Sequence, residues 1–216
     1  MFAEETRNRL SAAGVVPVVV INDAANAVPL AHALLAGGVK VIELTLRTAA
    51  GLDAIKAIAS EVPDMLVGAG TVLSPEQVRE VKAAGAAFAV APGTNRTILA
   101  AAQEVDLPFA PGVMTPSDIE TALSMGCRML KFFPAESAGG VTHLKAMAAP
   151  YGHLGVKFMP TGGIKAAQLA DYLAVPTVAA VGGSWLATGA QIDAGQWDTI
   201  TAQSAAAMEI VNAAQD

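Results

Sequence analysis

The 216-residue sequence contains a single cysteine, Cys127, which excludes an internal disulfide and fits a reducing compartment. It has no cluster of lysine and arginine, and its formal net charge is −6, so it lacks the basic face that nucleic-acid binding requires. No apolar run approaches the roughly 18 residues that a membrane span needs. The N-terminal residues also lack the basic-then-apolar order of a signal peptide. These absences predict a soluble, cytoplasmic protein without a nucleic-acid or membrane partner.

The residues that hold metals and dinucleotides are also scarce. The three histidines, His32, His143 and His153, fall in helical or loop stretches and show no ligand spacing. No G-x-G-x-x-G follows a predicted strand, so a dinucleotide site has no support. We therefore expect no metal and no organic cofactor.

The sequence is rich in short apolar runs. Apolar residues make up 53% of the chain and charged residues 15%, against roughly 25% charged in an ordinary soluble domain. Eight apolar runs begin at residues 15, 39, 65, 87, 108, 129, 156 and 178. Alanine-rich stretches with helical spacing separate them. Helix starts are predicted at Ser74-Pro75-Glu76-Gln77 and, in a looser form, at Thr115-Pro116-Ser117-Asp118.

This repetition predicts the fold. Eight strand–helix units of about 25 residues, with nearly continuous apolar strands, indicate a parallel sheet covered by helices. Eight such units close naturally into a (β/α)8 barrel, also called a TIM barrel. We expect one such α/β domain over residues 1–216, with a short N-terminal helix. A doubly wound open sheet is the alternative, but eight regular units favour closure.

The second predicted strand, V-I-E-L-T-L-R at 41–47, carries polar residues on one face. Alternation places Glu43, Thr45 and Arg47 together and leaves the opposite face wholly apolar. Because the apolar face must contact the helices, the polar face should point into the barrel. A salt-bridged polar layer that fills the barrel is the structural alternative.

The sixth predicted strand, M-L-K-F-F-P-A-E at 129–136, places Lys131 on an inward face with Met129 and Phe133. Strands two and six of eight lie opposite each other, so Lys131 and Glu43 can both reach the barrel axis. A buried ion pair adds little stability, whereas functional sites tolerate such groups. An amine in an apolar pocket is easier to keep uncharged, and a neutral amine can attack a carbonyl carbon. A purely structural Lys131–Glu43 pair remains the alternative.

Other strand ends are rich in glycine and hydroxyl groups. The GAGT segment ends with Thr71, and the PTGGI and GGSW segments close strands seven and eight with Thr161 and Ser184. In (β/α)8 barrels the loops after these two strands frequently bind a phosphate through backbone N–H groups. Two adjacent glycine-rich loops therefore predict a phosphate site.

The same segments resemble the family of 2-keto-3-deoxy-6-phosphogluconate (KDPG) aldolases, which also act on 4-hydroxy-2-oxoglutarate. The similarity runs along nearly the whole chain and is carried by AGGVKVIELTLRT, LVGAGTVLSPEQ, APG, PFAPGVMTPSD, KFFPAE, FMPTGGI and VGGSWL. It implies a class I aldolase in which Lys131 forms a Schiff base and Glu43 is the general acid/base. It also implies a set of substrate-binding residues: Arg47 and Thr71 at the pyruvate carboxylate, Pro92 of the APG motif, Phe133 against the pyruvyl group, Thr161 at the sugar-acid hydroxyls, and Gly162, Gly163, Gly183 and Ser184 at the distal phosphate.

The resemblance further implies a phosphorylated keto acid and pyruvate as ligands, and a homotrimer. The epimeric 2-keto-3-deoxy-6-phosphogalactonate is an alternative substrate. A sugar-phosphate epimerase or isomerase would share the phosphate loops but would not need a central imine-forming lysine. A non-catalytic barrel that binds a phosphorylated ligand would keep the pocket without the chemistry.

Overall fold

A computed structural model describes residues 4–215 of the chain. In this part the strands are short and alternate with helices. The strands are Val15–Val19 (β1), Val41–Thr45 (β2), Leu66–Gly70 (β3), Phe88–Val90 (β4), Phe109–Ala110 (β5), Gly112–Val113 (β6), Met129–Phe132 (β7), Lys157–Pro160 (β8) and Val181–Gly183 (β9). The α-helices are Glu4–Ala13 (α1), Ala27–Ala36 (α2), Gly51–Glu61 (α3), Pro75–Ala83 (α4), Arg96–Glu104 (α5), Pro116–Ser124 (α6), Gly140–Ala148 (α7), Leu169–Leu173 (α8), Gly189–Asp193 (α9) and Trp197–Gln215 (α10). The predicted N-terminal helix is confirmed as α1.

Strand pairing is parallel throughout the described residues, as the sequence predicts. The strands form a six-stranded sheet in the order β5-β4-β3-β2-β1-β9 and a three-stranded sheet in the order β6-β7-β8. The predicted fifth strand is divided at Pro111, which has no N–H to donate to a ladder. Single bridges pair Thr161 with Gly182 and Phe158 with Val178, beside the end of the six-stranded sheet.

Both predicted helix starts are confirmed. The Ser74 hydroxyl accepts a hydrogen bond from the backbone N–H of Gln77 at 3.2 Å. Thr115 and Asp118 form a complete capping box, so this helix start is stronger than the sequence pattern suggests. The predicted extent of the second strand is wrong, because β2 ends at Thr45 and Arg47 lies in the following turn.

Apolar side chains form two clusters. The larger one lies between the strands and the helices. The smaller one takes side chains from strands of both sheets and from α1: Leu10, Ala13, Val16, Val41, Leu66, Phe88, Val90, Ala110, Met129, Met159, Ala179 and Ala180. Since the strand residues in it share the face of Glu43 and Lys131, this inner cluster is the apolar floor beneath those two residues. Among the described helices, none has both the length and the apolar character needed to cross a membrane.

Candidate active site

Lys131 on β7 and Glu43 on β2 meet in the interior. The Lys131 Nζ lies 2.8 Å from Glu43 Oε1 and 3.1 Å from Oε2. Their side chains are only 6% and 1% exposed. The two charges are therefore paired, away from solvent and above an apolar floor. The predicted convergence of these residues is confirmed, and the ion pair that the structural alternative requires is also present.

Glycine at position 70 makes room for the Glu43 carboxylate. A Cβ placed on Gly70 would lie 2.2 Å from Glu43 Oε1 and 2.8 Å from Cγ and Cδ. Two residues earlier, a Cβ on Gly68 would overlap the Phe88 ring at 2.2 Å. These two roles are not among the predictions made from the sequence. A glycine inside a strand is a known sign of close approach, and the GAG segment carried that signal.

The Lys131 amine has an aromatic neighbour as well as a carboxylate. Its Nζ lies 5.8 Å from the centroid of the Phe133 ring, within the range of a cation–π contact. Glu43 is the group placed to accept a proton from the ammonium, which would leave a neutral amine in a buried site. Such an amine can act as a nucleophile toward a carbonyl carbon.

A cavity of about 180 Å³ is lined by Phe133, the aromatic neighbour of the Lys131 amine, although neither Lys131 nor Glu43 is itself part of the lining. Its lining comprises Val18, Val20, Arg47, Phe133, Thr161, Gly162, Gly163, Ile164, Gly182, Gly183 and Ser184. Seven of the predicted substrate-binding residues are in this set, contributed by the ends of β2, β7, β8 and β9. The polar end groups that the sequence analysis identified thus converge on one volume.

The two remaining predicted substrate-binding residues, Thr71 and Pro92, lie outside that lining. Thr71 follows Gly70 directly and has a positive φ of 59°, which is rare for a β-branched residue and recurs at functional sites. Pro92 is exposed, and a Cβ on Gly112 would meet its carbonyl oxygen at 2.1 Å. Gly112 in turn pairs with Lys131 across β6 and β7. Thr71 and Pro92 therefore adjoin the strands that carry Glu43 and Lys131.

Thr45, the third inward residue of the second strand, serves the scaffold. Its hydroxyl donates a 3.0 Å hydrogen bond to the carbonyl of Val19 on the neighbouring strand β1. It is 2% exposed and has its polar group satisfied. Arg47, in contrast, is exposed at the rim, where its guanidinium can reach a ligand in the cavity.

The PTGG loop has a backbone that requires glycine. Gly162 and Gly163 have φ values of 105° and 80°. The carbonyl of Thr161 accepts from the N–H of Ala135 at 2.8 Å, and that of Gly162 accepts from the N–H of Glu136 at 3.0 Å. In a trans peptide the N–H points opposite to the C=O. The N–H groups of Gly162 and Gly163 therefore point away from these donors.

Gly182 is a further residue that the sequence analysis missed. A Cβ at this position would lie 2.2 Å from Thr161 Oγ1, so only glycine leaves the threonine hydroxyl in place. The neighbouring Gly183 contacts the Trp185 ring, since a Cβ there would lie 1.7 Å from it. These two glycines let the ends of β8 and β9 approach closely at the cavity.

Within residues 4–215, no three His, Cys, Asp or Glu side chains are grouped so that they could hold a metal ion. Burial raises the pKa of the Cys127 thiol to about 11, although the nearby Arg128 charge acts in the opposite direction. Cys127 is consequently a protonated, half-buried thiol just after α6.

Comparison with known proteins identifies the family. The family described as "KDPG and KHG aldolase" matches residues 6–203. A 2-dehydro-3-deoxy-phosphogluconate aldolase of Dickeya dadantii is 51% identical over 89% of this chain and 90% of its own length. The KHG/KDPG aldolase of Escherichia coli K12 is 48% identical over 93% of both chains.

A solved structure supports the same family. The KDPG aldolase of Legionella pneumophila, with pyruvate captured at low pH as a covalent carbinolamine intermediate, superposes with a TM-score of 0.88 at 44% identity. The match covers 93% of this chain and 97% of that one. This chain belongs to the KDPG and KHG aldolase family, and the prediction of a carbon–carbon lyase from the resemblance is confirmed.

Proposed function

We propose that the protein is a class I aldolase that cleaves 2-keto-3-deoxy-6-phosphogluconate to pyruvate and glyceraldehyde 3-phosphate, and that it also cleaves 4-hydroxy-2-oxoglutarate. The observation that carries this proposal is the buried Lys131 amine, 2.8 Å from the Glu43 carboxylate and beside a cavity lined by glycine loops. Family membership supports the same reaction.

The reaction begins with proton transfer from the Lys131 ammonium to Glu43. The neutral amine adds to the C2 carbonyl to give a carbinolamine. Glu43 then returns its proton to the departing hydroxyl, so that water leaves, a protonated imine forms and Glu43 is again a carboxylate. This cation accepts the electron pair of the C3–C4 bond when a base removes the proton of the C4 hydroxyl. Glu43, directly or through a water molecule, is the carboxylate placed for that step.

The products leave in sequence. Glyceraldehyde 3-phosphate departs first and leaves an enamine on Lys131. The enamine takes a proton at C3, water adds to the imine carbon, and pyruvate is released with regeneration of the free amine. Because the lysine imine is the electron sink, these steps need only side chains of this protein and water.

The cavity suggests how the substrate lies. Arg47 suits the carboxylate next to C2, because its planar fork can bind two oxygens together, and Thr71 would assist it. Phe133 would pack against the pyruvyl carbons, and Thr161 would contact a hydroxyl of the chain. The N–H groups of the loops at Gly162–Gly163 and Gly183–Ser184 would receive the phosphate.

Trapping with borohydride tests the proposal. Wild-type protein incubated with pyruvate and borohydride should carry one reduced pyruvyl group on Lys131, as found by peptide mass spectrometry. Lys157, whose amine donates to the Pro176 carbonyl at 2.7 Å, is an internal control that should stay unmodified. An unmodified Lys131 in protein that is otherwise folded would exclude the imine mechanism.

The epimeric galactonate substrate is the alternative within the same chemistry. Both epimers would place their ketone at Lys131 and their phosphate at the glycine loops, so they differ at the hydroxyl that faces the base. Turnover should be measured on both phosphorylated acids and on 4-hydroxy-2-oxoglutarate. A higher kcat/KM for the galactonate epimer would contradict the proposed substrate while leaving the imine chemistry intact.

The complete barrel and the assembly are part of this proposal. We expect the two sheets to close into one (β/α)8 barrel, as a single domain over residues 1–216. Supporting this, Lys131 donates its N–H to the carbonyl of Pro111 at 2.8 Å, and Thr161 pairs with Gly182. We also expect a homotrimer, which light scattering should detect as three times the mass of the chain. A cytoplasmic location stays a prediction from the sequence.

A further inference from the structure

Glu136, five residues beyond the proposed Schiff-base position, is hydrogen-bonded to one residue of α8 and to the residue that precedes this helix. Its carboxylate accepts a 2.5 Å hydrogen bond from the Tyr172 hydroxyl and another from the side-chain amide of Gln168. Tyr172 is fully buried, and burial together with the bond to Glu136 raises its pKa. The tyrosine therefore stays a neutral donor, and both oxygens of the Glu136 carboxylate have partners.

The same residue holds the PTGG loop at both ends. Its backbone N–H donates to the Gly162 carbonyl at 3.0 Å. The Gln168 side chain, which donates to Glu136, accepts through Oε1 from the N–H of Lys165 at 2.9 Å. A Cβ on Gly163 would lie 3.0 Å from the Cβ of Glu136, so this side chain also forms the wall behind the loop. The network from residue 162 to residue 165 thus converges on Glu136.

Such support lowers the cost of ordering this loop. Gly162 and Gly163 are consecutive residues in the left-handed region, and glycine loses more conformational freedom on ordering than any other residue. An anion site built from backbone N–H groups binds well when those groups are already oriented. The carboxylate itself is an unsuitable ligand for a phosphate, since like charges repel, and its oxygens are occupied by Tyr172 and Gln168.

We infer that Glu136 is a positioning residue for the phosphate end of the substrate. Glu136 is held in place by its hydrogen bonds to Tyr172 and Gln168. It in turn fixes the loop so that the Gly162 and Gly163 N–H groups face the phosphoryl group. It sets affinity for the phosphorylated end and takes no part in bond cleavage at Lys131. This inference rests on the proposed function, because it assumes that the loop receives the substrate phosphate.

The test compares a reaction that needs the phosphate loop with one that does not. Cleavage of 2-keto-3-deoxy-6-phosphogluconate uses the loop, whereas exchange of the pyruvate C3 protons for deuterium uses the imine machinery alone. For Glu136→Gln and Tyr172→Phe we expect KM for the phosphorylated acid to rise about tenfold, from the lost hydrogen bonds. We expect the pyruvate exchange rate to stay within about twofold of wild type. The inhibition constant of inorganic phosphate should rise in parallel with KM.

A second tyrosine–glutamate pair supplies the matched control. Tyr151 donates to Glu120 at 3.2 Å on the surface, and neither residue lines the cavity. Tyr151→Phe removes the same hydroxyl and should change neither reaction. If Glu136→Gln does not fold, Tyr172→Phe, which keeps the carboxylate, is the deciding variant.

The outcomes separate the two proposals. Equal losses in cleavage and pyruvate exchange, or no change in KM for the phosphorylated acid, would overturn the positioning role. Failure of the wild-type protein to exchange pyruvate protons or to trap pyruvate would overturn the aldolase proposal itself. A selective rise in KM and in the phosphate inhibition constant supports Glu136 as the residue that positions the loop.

Discussion

A single methyl group added on β3 should disable the site while both proposed catalytic residues, Lys131 and Glu43, keep their identity. Gly70→Ala would place a Cβ 2.2 Å from Glu43 Oε1 and 2.8 Å from Cγ and Cδ. The φ of Gly70 is not in the left-handed region, so the strand backbone accepts alanine without strain. The conflict is therefore confined to the methyl group and the carboxylate.

The size of the displacement follows from these distances. Ordinary contact between heavy atoms needs about 3.5 Å, so the carboxylate must retreat by roughly 1 Å. The 2.8 Å contact with Lys131 Nζ then lengthens or changes direction. A misplacement of about 1 Å in a catalytic group can lower the rate about a hundredfold. Overpacking of this kind also destabilises a core by about 1–3 kcal/mol.

We expect Gly70→Ala to lower kcat about a hundredfold, with a smaller change in KM. Pyruvate release can be followed with a coupled lactate dehydrogenase assay, and circular dichroism would confirm the fold. Gly152→Ala is the matched control, because a Cβ at Gly152 has no heavy atom within 4 Å. A folded Gly70→Ala protein with kcat within threefold of wild type would refute the argument that Glu43 must occupy this position.

Three further outcomes follow from the same structure. Lys131→Met should abolish turnover and lower the free energy of unfolding in urea by about 3 kcal/mol, because Glu43 is left as an unpaired buried charge. The double variant Lys131→Met/Glu43→Gln should regain most of that stability but no activity. A Lys131→Met protein as stable as wild type would contradict the energetic importance of the pair. Glu43→Gln alone should reduce kcat by at least about a hundredfold and still permit some borohydride trapping of pyruvate on Lys131. Complete loss of trapping in folded protein would instead show that Glu43 is needed for imine formation itself. With its pKa raised from 9.0 to about 11 by burial, the Cys127 thiol should react with iodoacetamide at pH 8 about tenfold more slowly than a free thiol, after allowing for its greater nucleophilicity. Its rate should keep rising between pH 10 and pH 11, where the rate of an unperturbed thiol has levelled off, and a plateau by pH 10 would contradict the shift.

The sequence was a good guide to local structure and to the inward faces. Capping residues such as Ser74 and Thr115 act over three or four positions, and both predicted helix starts are confirmed. Alternation within a strand correctly placed Glu43 and Lys131 in the interior. Alternation gave a wrong prediction where a strand ended. Arg47 is an even number of residues from Glu43, which predicts an inward position on the same strand, but β2 stops at Thr45. A hydrophobic pattern records which face is buried and says little about where the ladder ends.

The supporting residues were harder to predict because their partners are distant in the chain. Gly70 and Gly182 matter through the Glu43 and Thr161 atoms that would overlap a Cβ, and a glycine in a strand does not name its neighbour. Glu136 and Tyr172 are 36 positions apart, and no periodicity links them. Their contact exists only because α8 packs against the turn that follows β7.

The sequence by itself determined the parallel α/β architecture, the helix starts, the buried lysine and glutamate, and the glycine loops. Each of these features depends on the spacing of nearby residues or on a short motif. The tertiary structure alone decided the 2.8 Å approach of two residues separated by 88 positions, and the network that holds the PTGG loop. The physical reason is that propensity and alternation act over a few residues. Ion pairs and close packing depend on distances that are set only when remote strands come together.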